Sequence, residues 1–307
     1  MEPETINYFE SYDPDILELD ISGQNISGIL DLSRFVNLKK LDCSLNNILT
    51  SIINFPNTLE ILNCNQNYIN SLDNLPDSLK ILNCSNNNNI KTLDKLPENL
   101  IELYCYCNQL SNLDNLPEKL KCLDCQGNLI TKLDNLPLSL EILNCSHNKI
   151  ISLDYLPINL IDLDCRNNLL TSLDFLPNSL EIINCSFNKI KMLTNLSNNL
   201  VKIHCFSNSI DILDIEKLNK LTLLSCYNNK ITSLTNMSDS LEELDCSANK
   251  ITRLDNFSSN LERLVCKDNK FNILENLPES LNFLQCDQTI QNLVQIKINN
   301  PNLKVIY

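Results

Sequence analysis

Fifteen cysteines, two histidines and regularly spaced carboxylates and amides are the residues of this 307-residue chain whose types suggest chemistry. Cys122-Leu123-Asp124-Cys125 has the C-x-x-C spacing of zinc ligands and dithiol redox pairs. On an extended strand, residues three apart face opposite sides, so a shared metal or disulfide is not expected there. His147 and His204 sit at different offsets from their nearest cysteines, and no fold of this pattern brings them onto one ion. No Ser/His/Asp or Cys/His pairing is recognisable. Three glycines, Gly23, Gly28 and Gly127, cannot write a phosphate-binding loop, a dinucleotide fingerprint or a nucleophile elbow. Aspartates recur once per turn at Asp73, Asp94, Asp114, Asp134, Asp154, Asp174, Asp214 and Asp255. One carboxylate per turn falls short of the roughly six to eight oxygens that calcium takes, so local bonds to the following turn amides are expected instead. The chain reads as a protein without catalytic residues, metal or cofactor, and not as an enzyme.

Charge and patterning narrow the partners. Twenty-four Lys and Arg against 38 Asp and Glu give a net charge of −14, the wrong sign for a phosphate backbone, so no nucleic-acid partner is expected. No run of eighteen apolar residues exists, so no membrane-spanning helix is expected. Residues 1–14 are polar and acidic without an apolar core, which reads as the lack of a secretory signal. With an odd number of thiols, this points to a reducing, cytoplasmic location, not a secreted one. Sequons such as Asn83-Cys84-Ser85 would then be silent.

The elements that hold these residues come from a repeat. Thirteen cysteines, at 43, 64, 84, 105, 125, 145, 165, 185, 205, 226, 246, 266 and 286, are spaced by 20 or 21 residues. The same frame surrounds them, as in Leu79-Lys80-Ile81-Leu82-Asn83-Cys84 and Leu140-Glu141-Ile142-Leu143-Asn144-Cys145. An asparagine follows three residues later, from Asn46 to Asn269, usually with an apolar residue two beyond it, as in Asn148-Lys149-Ile150. A Leu-Asp-Asn-Leu-Pro return then leads to the next unit, for example Leu72-Asp73-Asn74-Leu75-Pro76.

The pattern L-x-x-L-x-C-x-x-N-x-I resembles the leucine-rich repeat signature with cysteine at the third leucine, over roughly residues 16–290. The L-P-x-x-L approach to each strand is similar to the arrays of secreted bacterial effectors, and the Asn- and Ile-rich composition to those of amoebae and giant viruses. The resemblance implies a non-enzymatic protein-interaction scaffold, a viral or pathogen chain in the host cytosol that engages a host protein. Residues alone lead to the same fold. Apolar-polar-apolar alternation predicts a short strand with one buried face, and identical units pair in parallel about 4.8 Å apart. Twenty residues leave no room for a crossover helix. The expected fold class is a β-rich solenoid: a curved array with a parallel sheet on the concave face, extended or turn-like convex returns, and little or no α-helix. We expect a cap with one degenerate repeat over residues 1–37, about 13 repeats over 38–290, and a half-repeat cap over 291–307, leaving no room for a ligase domain like that of some bacterial effectors.

Two ladders are read as structural. Cys84, Cys145 and their equivalents are small apolar fillers facing inward. Asn87, Asn148 and theirs satisfy backbone groups of their own and neighbouring turns. With so few glycines, the units are expected to turn by side-chain capping and not through positive-φ glycine. Cys107 and Cys122 lie off the ladder and are the expected accessible thiols.

Outward positions fall three and one before each cysteine and one after it. Most are plain, as at Asn83 and Ser85, Asn144 and Ser146, or Asn184 and Ser186, and the charges among them are mixed. Two places carry rings. Tyr104 and Tyr106 share one strand; His204, Phe206, Leu223 and Tyr227 span neighbouring strands, with Phe187 at the adjacent strand exit. Clustered rings on a rigid face are the form interface anchors take. A protein partner on the concave face is therefore expected, with self-association or a ubiquitin-ligase adaptor role as alternatives.

Overall fold

A computed structural model describes residues 12–234, 237–254 and 256–307. The first eleven residues of the expected N-terminal cap, and Asp255 of the return aspartates, lie outside the described residues. The chain divides into two compact units, Met1–Ile150 and Ile151–Tyr307.

Each unit is a parallel β-solenoid. In the first, the strands Glu18–Asp20, Lys40–Asp42, Ile61–Asn63, Ile81–Asn83, Glu102–Tyr104, Cys122–Asp124 and Ile142–Asn144 lie side by side in chain order. In the second, the order is Asp162–Asp164, Ile182–Asn184, Lys202–His204, Leu223–Ser225, Glu243–Asp245, Arg263–Val265, Phe283–Gln285 and Lys304–Ile306. The register is in step with the repeat: Leu62 pairs with Leu82, and Ile203 with Leu224. Ile21 is fully buried at the cysteine position of the degenerate first turn, and Lys304–Ile306 completes the last one by pairing with Phe283–Gln285. The described residues hold one α-helix, Leu293–Asn299, which buries Ile296.

The L-P-x-x-L motif has a direct structural meaning. The Leu79 amide donates to the Pro76 carbonyl at 3.0 Å, and Leu140 to Pro137 at 3.1 Å, closing a four-residue turn that feeds the strand. Serine takes the proline place at Ser197, Ser238 and Ser258 with the same bond. In several turns a hydroxyl two residues on ties the turn to the one before: Ser78 Oγ donates to the Leu59 carbonyl at 2.6 Å and Ser179 Oγ to Leu160 at 2.7 Å. Returns are mostly irregular, with two short parallel pairs, Ser27–Asp31 with Ile48–Ile53 and Met192–Leu193 with Ile212–Leu213.

All thirteen ladder cysteines are buried, whereas Cys107 and Cys122 are half-buried; none of the fifteen is in a disulfide. Burial pushes the ladder thiols up, Cys84 and Cys185 to about 12, so they stay protonated at neutral pH. In the native protein, Cys107 and Cys122 are therefore expected to react rapidly with a thiol reagent, and all 15 after unfolding. Widespread disulfides in protein isolated under thiol trapping would contradict this.

Two expectations need correction. The turns do use left-handed backbone. The residue two after each ladder cysteine from Cys43 to Cys266, at Leu45, Gln66, Asn86, Cys107, Gly127, His147, Asn167, Phe187, Ser207, Asn228, Ala248 and Asp268, has φ between 50° and 65°. Only one of these is glycine, so the other turns bear a cost of about 1 kcal/mol each, offset by packing. Local capping by the return aspartates is also rare: among the described ones, Asp214 accepts the Glu216 amide at 3.3 Å. The regular bond of this type lies at the strand exit, where Asp42, Asn83, Asp124 and Asn144 accept the amide two residues on at 3.0–3.2 Å.

Candidate protein-interaction surface

The asparagine ladder makes the scaffold rigid. The Asn148 Nδ2 group donates to the carbonyls of Cys125, Cys145 and Ser146 at 3.0–3.1 Å, and its Oδ1 accepts the Ile130 amide at 3.0 Å. Asn87 repeats the arrangement with Cys64, Cys84, Ser85 and the Ile69 amide. In Asn67 and Asn108 the buried Oδ1 has no partner. Both follow turns in which the buried apolar residue comes three, not two, after the preceding asparagine, at Leu49 after Asn46 and at Ile90 after Asn87. The inserted residue carries the apolar amide out of place. In the 21-residue interval from Cys205 to Cys226 the spacing Asn208 to Ile210 is kept, and the Ile210 amide still reaches Asn229 Oδ1 at 2.9 Å.

On the outward face, the position after cysteine is less open than its alternation suggests. Ser85, Ser146 and Ser186 are fully covered, because a small side chain there sinks between its neighbours. Rings at the same position rise above the face. In the second unit Phe206 and Tyr227 stack with centroids 4.3 Å apart and planes 9° from parallel. Phe187, 48% exposed, meets Phe206 edge-on at 5.3 Å. Phe187 stands at the left-handed position of its turn, as eleven other residues do in theirs, so its ring and not its backbone sets it apart. His204 and Leu223 are half-buried beside the stack. Burial, and then the Lys202 charge, hold the His204 imidazole below its ordinary pKa, partly opposed by Asp164. It is uncharged at neutral pH.

Tyr104 and Tyr106, in the first unit, are also half-buried. The Tyr104 hydroxyl donates to Glu102 Oε2 at 2.9 Å and accepts from Cys122 Sγ at 3.9 Å. Burial and the Glu102 bond push the Tyr104 phenol up. Its polar end is thus tied along the sheet, whereas the three rings of the second unit form one continuous apolar ridge. Among the described residues, no group of three or more His, Cys, Asp or Glu side chains is placed to hold a metal ion.

Twenty-residue turns with one short parallel strand, inward leucines and an asparagine ladder define a leucine-rich repeat, and the chain belongs to that family. Among solved structures it is similar to YopM from Yersinia enterocolitica WA-314, at 32% identity and TM-score 0.80 over 89% of this chain and 62% of that one. It is likewise similar to the functional domain of InlJ from Listeria monocytogenes, which includes a cysteine ladder, at 30% identity and TM-score 0.68 over 88% and 67% of the two chains. A third likeness is the leucine-rich effector YopM from Yersinia pestis, at 26% identity and TM-score 0.66 over 89% of each chain. The chain thus spans 62% of the length of the first of these proteins. No protein-family model matches the sequence, and no curated protein sequence does. Folds of this effector and internalin type are commonly protein-interaction scaffolds and generally non-enzymatic.

Proposed function

We propose that the chain is a non-enzymatic scaffold that holds a protein segment against the outward face of the sheet in its second unit. The observation that carries this reading is the ridge of Phe187, Phe206 and Tyr227, with the Phe206 ring in contact with both others across neighbouring turns. Rigid aromatic area costs little conformational entropy to bury, so such ridges anchor partners. The reduced, protonated ladder suits a cytoplasmic setting, where a pathogen or viral chain would meet a host protein.

Affinity capture at physiological salt, combined with sedimentation of the purified chain, tests the reading. A monomeric chain that retains a discrete protein partner is the expected result. Self-association without a partner would contradict it and favour a structural component. Recovery of ubiquitin-ligase subunits would refine it to an adaptor role.

A further inference from the structure

We infer that one water molecule is built into the turn after Cys84, where it accepts from the Ile90 amide and donates to Asn108 Oδ1. The turns on either side close this place with a direct bond. The Ile69 amide donates to Asn87 Oδ1 at 2.9 Å, and the Leu110 amide to Asn128 Oδ1 at 3.0 Å. The turn after Cys84 carries one residue more, the run Asn86-Asn87-Asn88-Asn89 before Ile90, and the bond is not made. Asn108 is 8% exposed, and its Oδ1 has no partner. The amide of fully buried Ile90 has none either among the described residues. A donor and an acceptor are thus left over together, as the two ends of one bond.

Both ends are held in place by their other bonds. Asn108 Nδ2 keeps the three carbonyls of its column, Cys84, Cys105 and Tyr106, at 3.0, 3.1 and 3.5 Å, which fixes Oδ1 as the acceptor end of the amide. The Ile90 carbonyl accepts the Gln109 amide at 3.0 Å, as the Ile130 carbonyl accepts that of Lys149 at 2.9 Å, and the Ile90 side chain stays in the core. Only the peptide before Ile90 is out of place. Its nitrogen lies about 1.46 Å from the held Cα, so turning that peptide displaces it by at most about 3 Å. Starting from a bond of about 3 Å, the separation stays within about 6 Å, the reach of two hydrogen bonds through one water. The extra length goes outward: Asn88 and Asn89 are exposed, and Gln109 Nε2 ties down the Asn88 carbonyl at 2.6 Å. The two ends select the occupant. A cation is repelled by the N–H and an anion by the amide oxygen, whereas water donates and accepts, as buried waters do. Leaving both groups unpaired is costly enough to hold it. Asn67 Oδ1 is orphaned too, but there the Ile48 amide turns back onto the Asn46 carbonyl at 2.6 Å, and Ile48–Ile53 pairs with Ser27–Asp31. The inference is confined to Asn108.

Crystals of the full chain at a resolution that shows ordered water test this. Density for one water within about 3.2 Å of both Ile90 N and Asn108 Oδ1 is the expected result. A direct bond between the two atoms, an ion between them, or no density there overturns it. In solution, the Ile90 amide should show cross-relaxation with a long-lived water by NMR, and its absence also overturns the inference. Removing Asn89 shortens the run to the frame of Cys145-Ser146-His147-Asn148-Lys149-Ile150. The isoleucine amide should then bond Asn108 Oδ1 directly, and the water signal should vanish. In that shortened chain Asn108→Ala should lower the urea midpoint at least about twice as far as it does in the full-length one, because it now strands an amide that the water had served. Equal shifts in the two backgrounds, or a water signal that survives the deletion, would overturn the inference. Should the shortened chain fail to fold, the crystal and NMR readouts of the full-length chain decide alone.

Discussion

Asn148→Ala is expected to lower the unfolding free energy by about 3–5 kcal/mol, although it removes a polar side chain from the interior. The amide makes four bonds at 3.0–3.1 Å, and its loss strands the Ile130 amide and takes a donor from three carbonyls in a site 9% exposed. Each buried group left without a partner costs about 1–3 kcal/mol, less where a carbonyl keeps its other bond. Asn148→Asp is expected to be at least as damaging, because a carboxylate of the same shape faces three carbonyl oxygens it cannot donate to. Asn108→Ala should cost less than Asn148→Ala, since the Asn108 Oδ1 has no amide to strand. Urea unfolding checks all three, read as a shift in midpoint at unchanged slope because repeat arrays can unfold in parts. Equal losses at Asn108 and Asn148 would show that the accepted bond adds nothing.

Leu143→Ala is expected to cost about 2–5 kcal/mol through the cavity it leaves. Leu143 is the central residue of Ile142–Asn144, 1% exposed, and pairs in register with Leu123. Stacked turns pack leucine on leucine in register, so neighbouring turns cannot close the gap without losing that register. Ile142, one residue earlier, is 45% exposed on the opposite face, and Ile142→Ala should cost well under half as much. Thermal melting of the two variants side by side measures the difference. Similar losses would mean that the inward and outward faces had been assigned the wrong way round.

Much of this architecture is legible in the sequence because a period of 20 or 21 residues leaves few alternatives. Each Leu82-Asn83-Cys84 has one apolar face, and only stacked neighbours bury it. The inward cysteines, the asparagine bonds and the half-turn at Lys304–Ile306 follow from that register. The left-handed residue two after the ladder cysteines from Cys43 to Cys266 was hidden because eleven side chains, from Leu45 to Asp268, tolerate it when the ladder bonds on both sides fix the backbone. The hydroxyl ladder of Ser78, Ser139 and Ser179 carried a signal, a hydroxyl residue two after proline, that a search for chemistry passes over. The orphaned acceptor of Asn108 could have been found by counting residues from Asn87 to the next apolar position, Ile90; that of Asn67 was masked because Ile48, exposed, keeps the usual spacing ahead of the buried Leu49. At the candidate site, spacing brought Phe206 beside Tyr227. Whether the rings stacked, and which face stayed open, depended on side-chain torsions that a repeat pattern does not encode.

The binding face itself is tested most directly by the double variant Phe206→Ala/Tyr227→Ala, measured for melting and for affinity toward the captured partner. Both rings are half-buried and pack mainly on each other, so stability should fall by no more than about 1.5 kcal/mol, the worth of a stacked pair. Affinity should fall by about 2 kcal/mol or more, roughly thirtyfold, as for a hot spot. A folded double variant that binds as wild type would place the contact elsewhere, with Tyr104 and Tyr106 next, and would contradict the face proposed here.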